Sequence, residues 1–275
     1  MSDDLDTRRA RLARILRDLG RVLVALSGGL DSTVLLAAAA RELGPGRVRA
    51  AIAVGPSLPP GELASAREAA TRAGVPLEEV GAREFEDPRY LANGADRCYW
   101  CRRSLAETLR PLAARAGETP VYGAITDDLA EDRPGMRALA EAGFRAPLLE
   151  AGLGKEDVRA LARALGVPQP DRPASACLSS RVARGLPIDP SRLDRIGRAE
   201  AFLRERGFRV VRVRDHGDLA RIEVSPGDLP RIAGPPFRAE VVTRLRALGW
   251  QRVSLDLEGY RPAGLRDPGR AGKDA

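Results

Sequence analysis

Lysine is almost absent from this 275-residue chain. It occurs only at Lys155 and Lys273, so arginine carries nearly all of the positive charge behind the net value of +7. Aromatic residues make up 4% of the chain and are scattered. Because nucleic-acid surfaces usually combine a basic stripe with interleaved aromatic residues, we do not expect a nucleic-acid partner, although the charge suits an anionic small molecule.

The chain also lacks long apolar runs. None approaches the ~20 residues needed to span a bilayer, and the first residues, MSDDLDTRRARLARIL, contain no signal-peptide core. We therefore expect a cytoplasmic protein with no membrane segment. Cysteine is scarce as well, and in the cytoplasm Cys98, Cys101 and Cys177 are more often reduced ligands or catalysts than disulfide partners.

Short apolar runs alternate with helical segments up to about residue 170. The predicted strands cover residues 21–26, 47–54, 76–80 and 119–125, and the predicted helices cover 7–19, 33–44, 59–74, 101–117 and 154–166. This alternation predicts βαβ units, and therefore an α/β fold with a doubly wound, mostly parallel sheet. Ligands bind such sheets at the carboxyl ends of the strands.

The pattern changes after about residue 190. Helices are predicted over 192–207 and 237–249, and strands over 208–217, 219–224 and 251–260. These elements predict a smaller α+β domain with an antiparallel sheet. The predicted divisions are a first domain over residues 1–172, a linker over 173–190 that carries Cys177, the α+β domain over 191–260 and a disordered tail over 261–275.

The strongest local signal is the stretch SGGLDST between the first predicted strand and a helix. Its candidate ligand-binding residues are Ser27, Gly28, Gly29, Asp31, Ser32 and Thr33. Two glycines let the backbone approach a ligand closely, and the helix that follows adds the positive end of its dipole. The stretch therefore predicts a phosphate or pyrophosphate site, although it is not a Walker A loop.

SGGLDS resembles the pyrophosphate loop S-G-G-x-D-S of the N-type ATP pyrophosphatases, or PP-loop enzymes. The resemblance implies that ATP, bound with Mg²⁺, is cleaved between its α- and β-phosphates while a carboxylate or carbonyl oxygen is adenylated. A nucleophile then displaces AMP. The loop by itself leaves the acceptor open.

Five further motifs resemble those of LarE-type sulfur transferases in order and spacing. They are DRCYWCRRSL (96–105), YGAITDDLAEDRPG (122–135), APLLEAGLGKEDVRALARALG (146–166), PASACLSSR (173–181) and RVRDHGDLARIEV (212–224). The resemblance implies sulfuration of a pyridinium-3,5-biscarboxylate mononucleotide to a thiocarboxylate, for the nickel-pincer nucleotide of lactate racemase. Ile125 stands where this family is expected to have Asn, and Arg184 where Tyr is expected.

The cysteines allow several kinds of chemistry. The Cys-x-x-Cys pair favours a 4Fe-4S cluster held by Cys98, Cys101 and Cys177, with one iron free of protein ligands to carry the transferable sulfide. In some relatives, as the resemblance implies, the cysteine at the position of Cys177 gives up its own sulfur. A zinc site formed with His216 is a third reading.

Further residues are candidates for binding and catalysis. Asp127 and Asp128 follow the fourth predicted strand and could hold Mg²⁺, and Lys155 could contact the ATP phosphates. Arg212 and Arg214 alternate on a strand and could hold a substrate phosphate. The remaining candidates are Arg181, close to Cys177, Ser180, Glu200, Glu223, Arg133 and Trp100, which could stack on a substrate ring.

The sequence thus predicts an ATP-dependent, AMP- and pyrophosphate-forming sulfur transferase that acts on a small nucleotide. We also expect a homo-oligomer and contact with other proteins of cofactor biosynthesis. Two alternatives remain open at this point: a tRNA-thiolating enzyme with the same loop, and a non-catalytic Fe–S or zinc protein that binds a nucleotide.

Overall fold

The computed structural model describes residues 4–130, 134–171 and 176–261. These form two compact units. Unit 1 contains the described residues of Met1–Tyr90 and Asp96–Ser175, and unit 2 contains those of Leu91–Ala95 and Ala176–Ala275. The predicted limits at residues 172, 190 and 260 stay predictions. Most of the predicted tail lies outside the described residues, as do Arg133 and Pro173.

Unit 1 is built on a four-stranded parallel sheet. Its strands are β1 (Val22–Ala25), β2 (Val48–Val54), β3 (Leu77–Gly81) and β4 (Thr119–Tyr122), in the order β3-β2-β1-β4. Val22 pairs with both Val48 and Thr119, so β1 lies at the centre. The crossover from β3 to β4 reverses the direction in which strands are added, and this switch point next to β1 is where such sheets bind ligands.

Helices cover both faces of this sheet. The helices of the first part of the chain are α1 (Leu5–Leu19), α2 (Leu30–Leu43), α3 (Glu62–Ala73), α4 (Pro88–Leu91), α5 (Arg97–Arg115), α6 (Pro134–Glu141), α7 (Pro147–Glu150) and α8 (Lys155–Ala164). One face packs against α1, α2, α3 and α8, and the other against α5 and α6. The predicted doubly wound α/β fold is confirmed.

The sequence accounts for the most buried elements of unit 1. Alternate residues of β2 point to opposite faces of the sheet, and since both faces are covered, its sequence VRAAIAV is apolar on both sides except at Arg49. Arg49 is neutralised by Glu118 and Glu78. Helix α2 carries Ala37 to Ala40 at its centre, and three of these alanines are buried. The small side chains allow it to lie close to the sheet, directly behind the loop that follows β1.

Unit 2 combines three helices with a small sheet. Its elements are α9 (Pro190–Glu205), β5 (Val211–His216), β6 (Leu219–Val224), α10 (Leu229–Ala233), α11 (Phe237–Ala247) and β7 (Arg252–Leu255). Strands β5 and β6 are antiparallel, whereas β6 and β7 are parallel. The predicted antiparallel sheet is therefore wrong in part: α10 and α11 intervene and return the chain to the starting end of β6.

The segment Leu91–Ala95 belongs to unit 2 although the chain on both sides of it belongs to unit 1. The Asn93 side chain donates hydrogen bonds to the carbonyl oxygens of Ala183 (2.8 Å) and Leu186 (2.9 Å). The backbone N–H of Ile188 donates to the carbonyl of Leu91. Within the described ranges, no helix is both long and apolar enough to cross a membrane.

Candidate active site

The loop Ser27–Thr33 joins β1 to α2 and is shaped by its own hydroxyl groups. The Ser27 and Ser32 hydroxyls lie 3.0 Å apart, and the Gly29 N–H donates to Ser27 Oγ at 3.3 Å. The Gly29 carbonyl accepts from Ser32 Oγ (3.1 Å) and Thr33 Oγ1 (2.9 Å). Gly29 is the N-cap of α2, so the loop lies at the positive end of the dipole of a buried helix. Helix N-termini of this kind bind anions.

Glycine is required at two points around this loop. Gly28 has φ +78°, and a Cβ there would lie 2.4 Å from the Glu62 carbonyl oxygen. At Gly123, which follows β4, a Cβ would lie 2.7 Å from the Ser32 nitrogen. Gly123 therefore lets the chain after β4 approach the start of α2, and it was missed among the candidate site residues. The signal for it was a glycine inside the predicted strand 119–125, since a glycine within a strand often marks a close approach of another backbone.

A lysine–aspartate pair completes the loop. Lys155 Nζ donates to Asp31 Oδ1 at 2.8 Å and to Oδ2 at 3.2 Å, which joins the first residue of α8 to the first turn of α2. The structure thus brings together two of the predicted ATP-binding residues that are far apart in the sequence. A compact ammonium group beside a phosphate loop can neutralise an incoming phosphate.

Asp127 and Asp128 both accept backbone hydrogen bonds. Asp127 Oδ2 accepts from the Lys155 N–H (2.8 Å), and Asp128 Oδ2 from the Ile125 N–H (3.0 Å). Gly154 leaves room for Asp127, because a Cβ at Gly154 would lie 3.0 Å from Asp127 Oδ2. Asp127 therefore fixes the start of α8 and with it the position of Lys155.

These contacts give a prediction that separates a cap from a metal ligand. Asp127→Asn keeps an oxygen that can accept from Lys155 N–H, so we expect ATP turnover close to that of the unchanged protein. Asp127→Ala removes the cap, which is worth about 1 kcal/mol, and should raise the KM for ATP about fivefold. Steady-state kinetics at several Mg²⁺ concentrations will check this, with Asp128→Asn as the matched control. Equal loss in Asp127→Asn and Asp127→Ala, relieved by high Mg²⁺, would instead identify Asp127 as a metal ligand.

A cavity of about 400 Å³ adjoins the loop. It lies between α2, α3 and the turn after α8, and its lining includes Gly28, Thr33, Ser65, Arg72 and Val167. Ligand sites commonly have this size. Unit 1 therefore has space for a small ligand directly beside its anion loop.

The cysteine pair lies at the start of α5, with Cys98 in its first turn and Cys101 at the start of the second. Cys98 is exposed and Cys101 is half-buried. Between them, Trp100 Nε1 donates to Asp96 (2.6 Å), and the Arg89 guanidinium carbon lies 3.6 Å from the centre of a Trp100 ring. One face of the indole is thus already covered by a cation, and stacking of Trp100 on a substrate ring stays a prediction.

Unit 2 contains the third cysteine next to a buried ion pair. Cys177 is half-buried and precedes a short turn that ends at Arg181. Arg181 Nε lies 2.9 Å from Glu200 Oε1, and the two side chains are only 1% and 0% exposed. Burial alone would raise the pKa of Glu200, but the neighbouring guanidinium groups outweigh it and the pKa is lowered.

Arg212 and Arg214 lie on the same face of β5. Arg214 forms a bidentate pair with Glu223 (2.9 Å for both bonds) and also donates to the Ser180 carbonyl (2.9 Å). Arg212 is 8% exposed and lies over the ring of Tyr260, 4.9 Å from its centre. Burial, and then the positive charge of Arg181, lower the pKa of Arg212.

The region around β5 therefore carries an excess of positive charge. Five arginines surround three carboxylates there: Arg181, Arg204, Arg212, Arg214 and Arg221 against Glu200, Glu223 and Asp256. An anion would relieve this imbalance. His216 follows on the same face of β5, its pKa lowered mainly by burial, and its Nε2 has no hydrogen-bond partner in the described part of the chain.

The predicted site residues thus fall into two sets. One is the loop with Asp31, Lys155 and Asp127 in unit 1, and the other is Cys177, Arg181 and the arginines of β5 in unit 2. Neither unit by itself gathers three cysteines, and the described ranges contain no group of three or more His, Cys, Asp or Glu side chains placed to hold a metal ion. The predicted cluster and zinc sites therefore stay predictions.

The fold and the site together define a class of enzyme. A parallel α/β sheet that ends its central strand in an S-G-G-x-D-S loop, at the switch point and beside a lysine, is the arrangement of the PP-loop enzymes that use ATP. The model of the asparagine synthase family matches residues 9–94. This match covers β1, the loop and β2.

Comparison with whole proteins narrows the class to a family. The chain is 36% identical over 264 residues to the pyridinium-3,5-bisthiocarboxylic acid mononucleotide synthase of Lactiplantibacillus plantarum, covering 96% of this chain and 95% of that protein. It is 40% identical over 262 residues to an uncharacterised protein of Synechocystis (95% and 97% covered). An uncharacterised protein of Methanocaldococcus jannaschii shares 32% over 174 residues (63% and 67%). The chain belongs to the LarE-type family of ATP-dependent sulfur transferases.

Proposed function

We propose that this protein converts a carboxylate of pyridinium-3,5-biscarboxylic acid mononucleotide into a thiocarboxylate, at the expense of ATP, for the nickel-pincer nucleotide of lactate racemase. The observation that carries the proposal is the match along nearly the whole chain to a synthase whose name gives the bisthiocarboxylic product. The Ser27–Thr33 loop with its Asp31–Lys155 pair supports it.

The first step is activation of the carboxylate. A carboxylate oxygen of the substrate attacks the α-phosphorus of ATP, the bond between the α-phosphorus and the bridging oxygen breaks, and pyrophosphate leaves. The loop N–H groups and the Lys155 ammonium stabilise the phosphate charge, which is the main task of a protein in chemistry at phosphorus. Mg²⁺ bound with ATP neutralises part of the same charge.

The substrate phosphate is assigned to unit 2 in this proposal. Arg212 and Arg214 point from one face of β5 into a region with excess positive charge. A guanidinium group suits a phosphate because its N–H groups match two oxygens at once.

The sulfur is proposed to arrive at the position of Cys177. In one route the Cys177 thiolate attacks the acyl carbon, AMP leaves, and a thioester forms. Loss of the Cα proton and cleavage of the Cβ–S bond then release the thiocarboxylate and leave dehydroalanine. This route balances without an added oxidant or reductant, and it is favoured because Cys177 is only half-buried.

In the second route the sulfur is sulfide from a 4Fe-4S cluster held by Cys98, Cys101 and Cys177. The pair Cys98 and Cys101 at the start of α5 favours it, because the first route leaves these two residues without a function. Unit 1 contains Cys98 and Cys101 and unit 2 contains Cys177, so neither unit alone supplies three ligands.

The proposed function is tested by measuring the products of the reaction. The full chain, purified without oxygen, is incubated with ATP, Mg²⁺ and the biscarboxylate mononucleotide, and thiocarboxylate, AMP and pyrophosphate are quantified. We expect all three products. Formation of AMP with bulk tRNA but not with the mononucleotide would overturn the proposal in favour of RNA thiolation, and formation of no AMP with either would favour a nucleotide-binding protein without catalysis.

The mass of the protein after turnover separates the two sulfur sources. Loss of H₂S from Cys177, about 34 Da, gives dehydroalanine and identifies the cysteine as donor. The variant Cys98→Ser with Cys101→Ser is the matched test: it should keep a single turnover if Cys177 is the donor, and lose iron and activity if a cluster is. A cytoplasmic location, a homo-oligomer and contacts with other biosynthetic proteins remain predictions.

A further inference from the structure

The carbonyl group of Cys177 is held by three donors. Its oxygen accepts from the Ser180 N–H (3.0 Å), from Ser180 Oγ (2.7 Å) and from Arg181 NH1 (2.9 Å). A carbonyl oxygen has two lone pairs, so this acceptor is saturated. An ordinary turn has one backbone hydrogen bond to this carbonyl. The turn after Cys177 has two side-chain hydrogen bonds in addition.

Arg181 also holds the peptide on the other side of Cys177. Its NH1 donates to the carbonyl of Ala176 at 2.6 Å as well as to that of Cys177. These two carbonyls belong to the two peptide units that flank the Cys177 Cα. One guanidinium group thus restrains the rotations about both backbone bonds of Cys177, and it thereby sets the direction in which the Cα–Cβ bond points.

The guanidinium group is itself anchored from behind. Its Nε and NH2 donate to the two oxygens of Glu200 (2.9 and 3.2 Å). Glu200 also accepts from the Val213 N–H (3.1 Å) and from Arg204 (2.6 Å), and it is fully buried between α9 and β5. Helix α9 and strand β5, which hold Glu200, therefore determine the position of the Arg181 guanidinium group.

We infer that Arg181, anchored by Glu200, is a positioning residue that orients Cys177 for the transfer of sulfur, and that it does not contact the substrate. The inference rests on the proposed function. Arg181 is 1% exposed, and its N–H groups face Glu200, the backbone and the Ser180 hydroxyl (3.0 Å). It replaces the direct catalytic role for Arg181, and the substrate-binding role for Glu200, that the sequence suggested.

The test separates the two halves of the reaction. Pyrophosphate release reports activation of the carboxylate, and thiocarboxylate formation reports the transfer of sulfur. For Arg181→Lys we expect pyrophosphate release within about threefold of the unchanged protein, whereas thiocarboxylate formed per pyrophosphate falls at least tenfold. Ser180→Ala, which removes one of three donors to the Cys177 carbonyl, should give an intermediate ratio. Arg214→Lys is the comparison, because weaker binding of the substrate should lower both products in parallel.

The outcomes are distinct. If Arg181→Lys keeps its far-UV circular dichroism and yet loses both products by the same factor, Arg181 acts before sulfur transfer and the inference is wrong. If it loses neither, the inference is also wrong. If Arg181→Lys does not fold, the ratio in Ser180→Ala decides, and an unchanged ratio overturns the inference. Failure of the unchanged protein to form thiocarboxylate would instead reject the proposed function.

Discussion

Replacing Glu200 with alanine is expected to destabilise unit 2 by about 3–5 kcal/mol, because it leaves Arg181 buried without its counter-charge. Arg181 is 1% exposed and cannot turn to water without opening the turn after Cys177. The same change removes the acceptor for Val213 N–H and for Arg204. A loss of this size is a large share of the stability of a typical domain.

Urea unfolding measures this loss. With a slope of roughly 1–3 kcal/mol per M, the midpoint for unit 2 should fall by on the order of 2 M. The fluorescence of the buried Trp250, observed in a Trp100→Phe background, reports on unit 2. Asp194→Ala is the matched control on the same helix: Asp194 and its partner Arg198 are 63% and 56% exposed, so the midpoint should hardly change. A similar small shift in Glu200→Ala would contradict the account of the ion pair.

The pKa of Glu200 adds a pH dependence to the same pair. Its folded-state pKa lies below the ordinary value of ~4.3. The stabilising contribution of the charged form is therefore complete above that ordinary value and is lost as the pH falls through the lower pKa of the folded state. The difference in stability between the unchanged protein and Glu200→Ala should accordingly shrink in acid.

Replacing Gly28 with alanine is expected to abolish the use of ATP. The backbone there has φ +78°, which costs a residue with a Cβ about 1–2 kcal/mol. The added Cβ would also lie 2.4 Å from the Glu62 carbonyl oxygen and 2.8 Å from its carboxylate oxygen Oε2. Relief of these contacts must move the loop, and a misplacement of even 1 Å at such a site can cost about 100-fold.

Two other glycines serve as controls that separate the effect of backbone strain from the effect of the steric clash. Gly44 has φ +81° and no atom lies within 4 Å of the position that a Cβ would take, so Gly44→Ala shows the effect of backbone strain alone. Gly46 has open space and an ordinary φ, so Gly46→Ala should behave like the unchanged protein. Calorimetric titration with ATP and Mg²⁺ is the measurement. Tight binding of ATP by Gly28→Ala would show that the loop is not the ATP site.

Much of unit 1 could be predicted because its signals are local. The apolar run before SGGLDS and the alternation of strands and helices are contained in short windows of sequence, and they predicted the sheet and the position of the loop. The limits of elements were less certain. Helix α2 begins at Leu30 rather than near Thr33, because Gly29 acts as its N-cap and the loop itself supplies the first turn.

The arrangements that could not be predicted depend on residues far apart in the chain. Nothing local to Lys155 shows that its ammonium group reaches Asp31. Arg181 follows a cysteine in an exposed-looking serine-rich stretch, and only the fold places Glu200 behind it. The parallel pairing of β6 with β7 was missed for a similar reason: the two helices between these strands decide the direction, and no turn signal records it.

The segment Leu91–Ala95 has a consequence for how the protein is made. Unit 2 includes these residues, which a ribosome produces well before the rest of that unit. The hydrogen bonds of Asn93 can therefore form only after Ala183 and Leu186 have been synthesised. A gene fragment that starts at Ala176 would encode unit 2 without residues 91–95. A separate peptide of residues 91–95 would supply the missing segment.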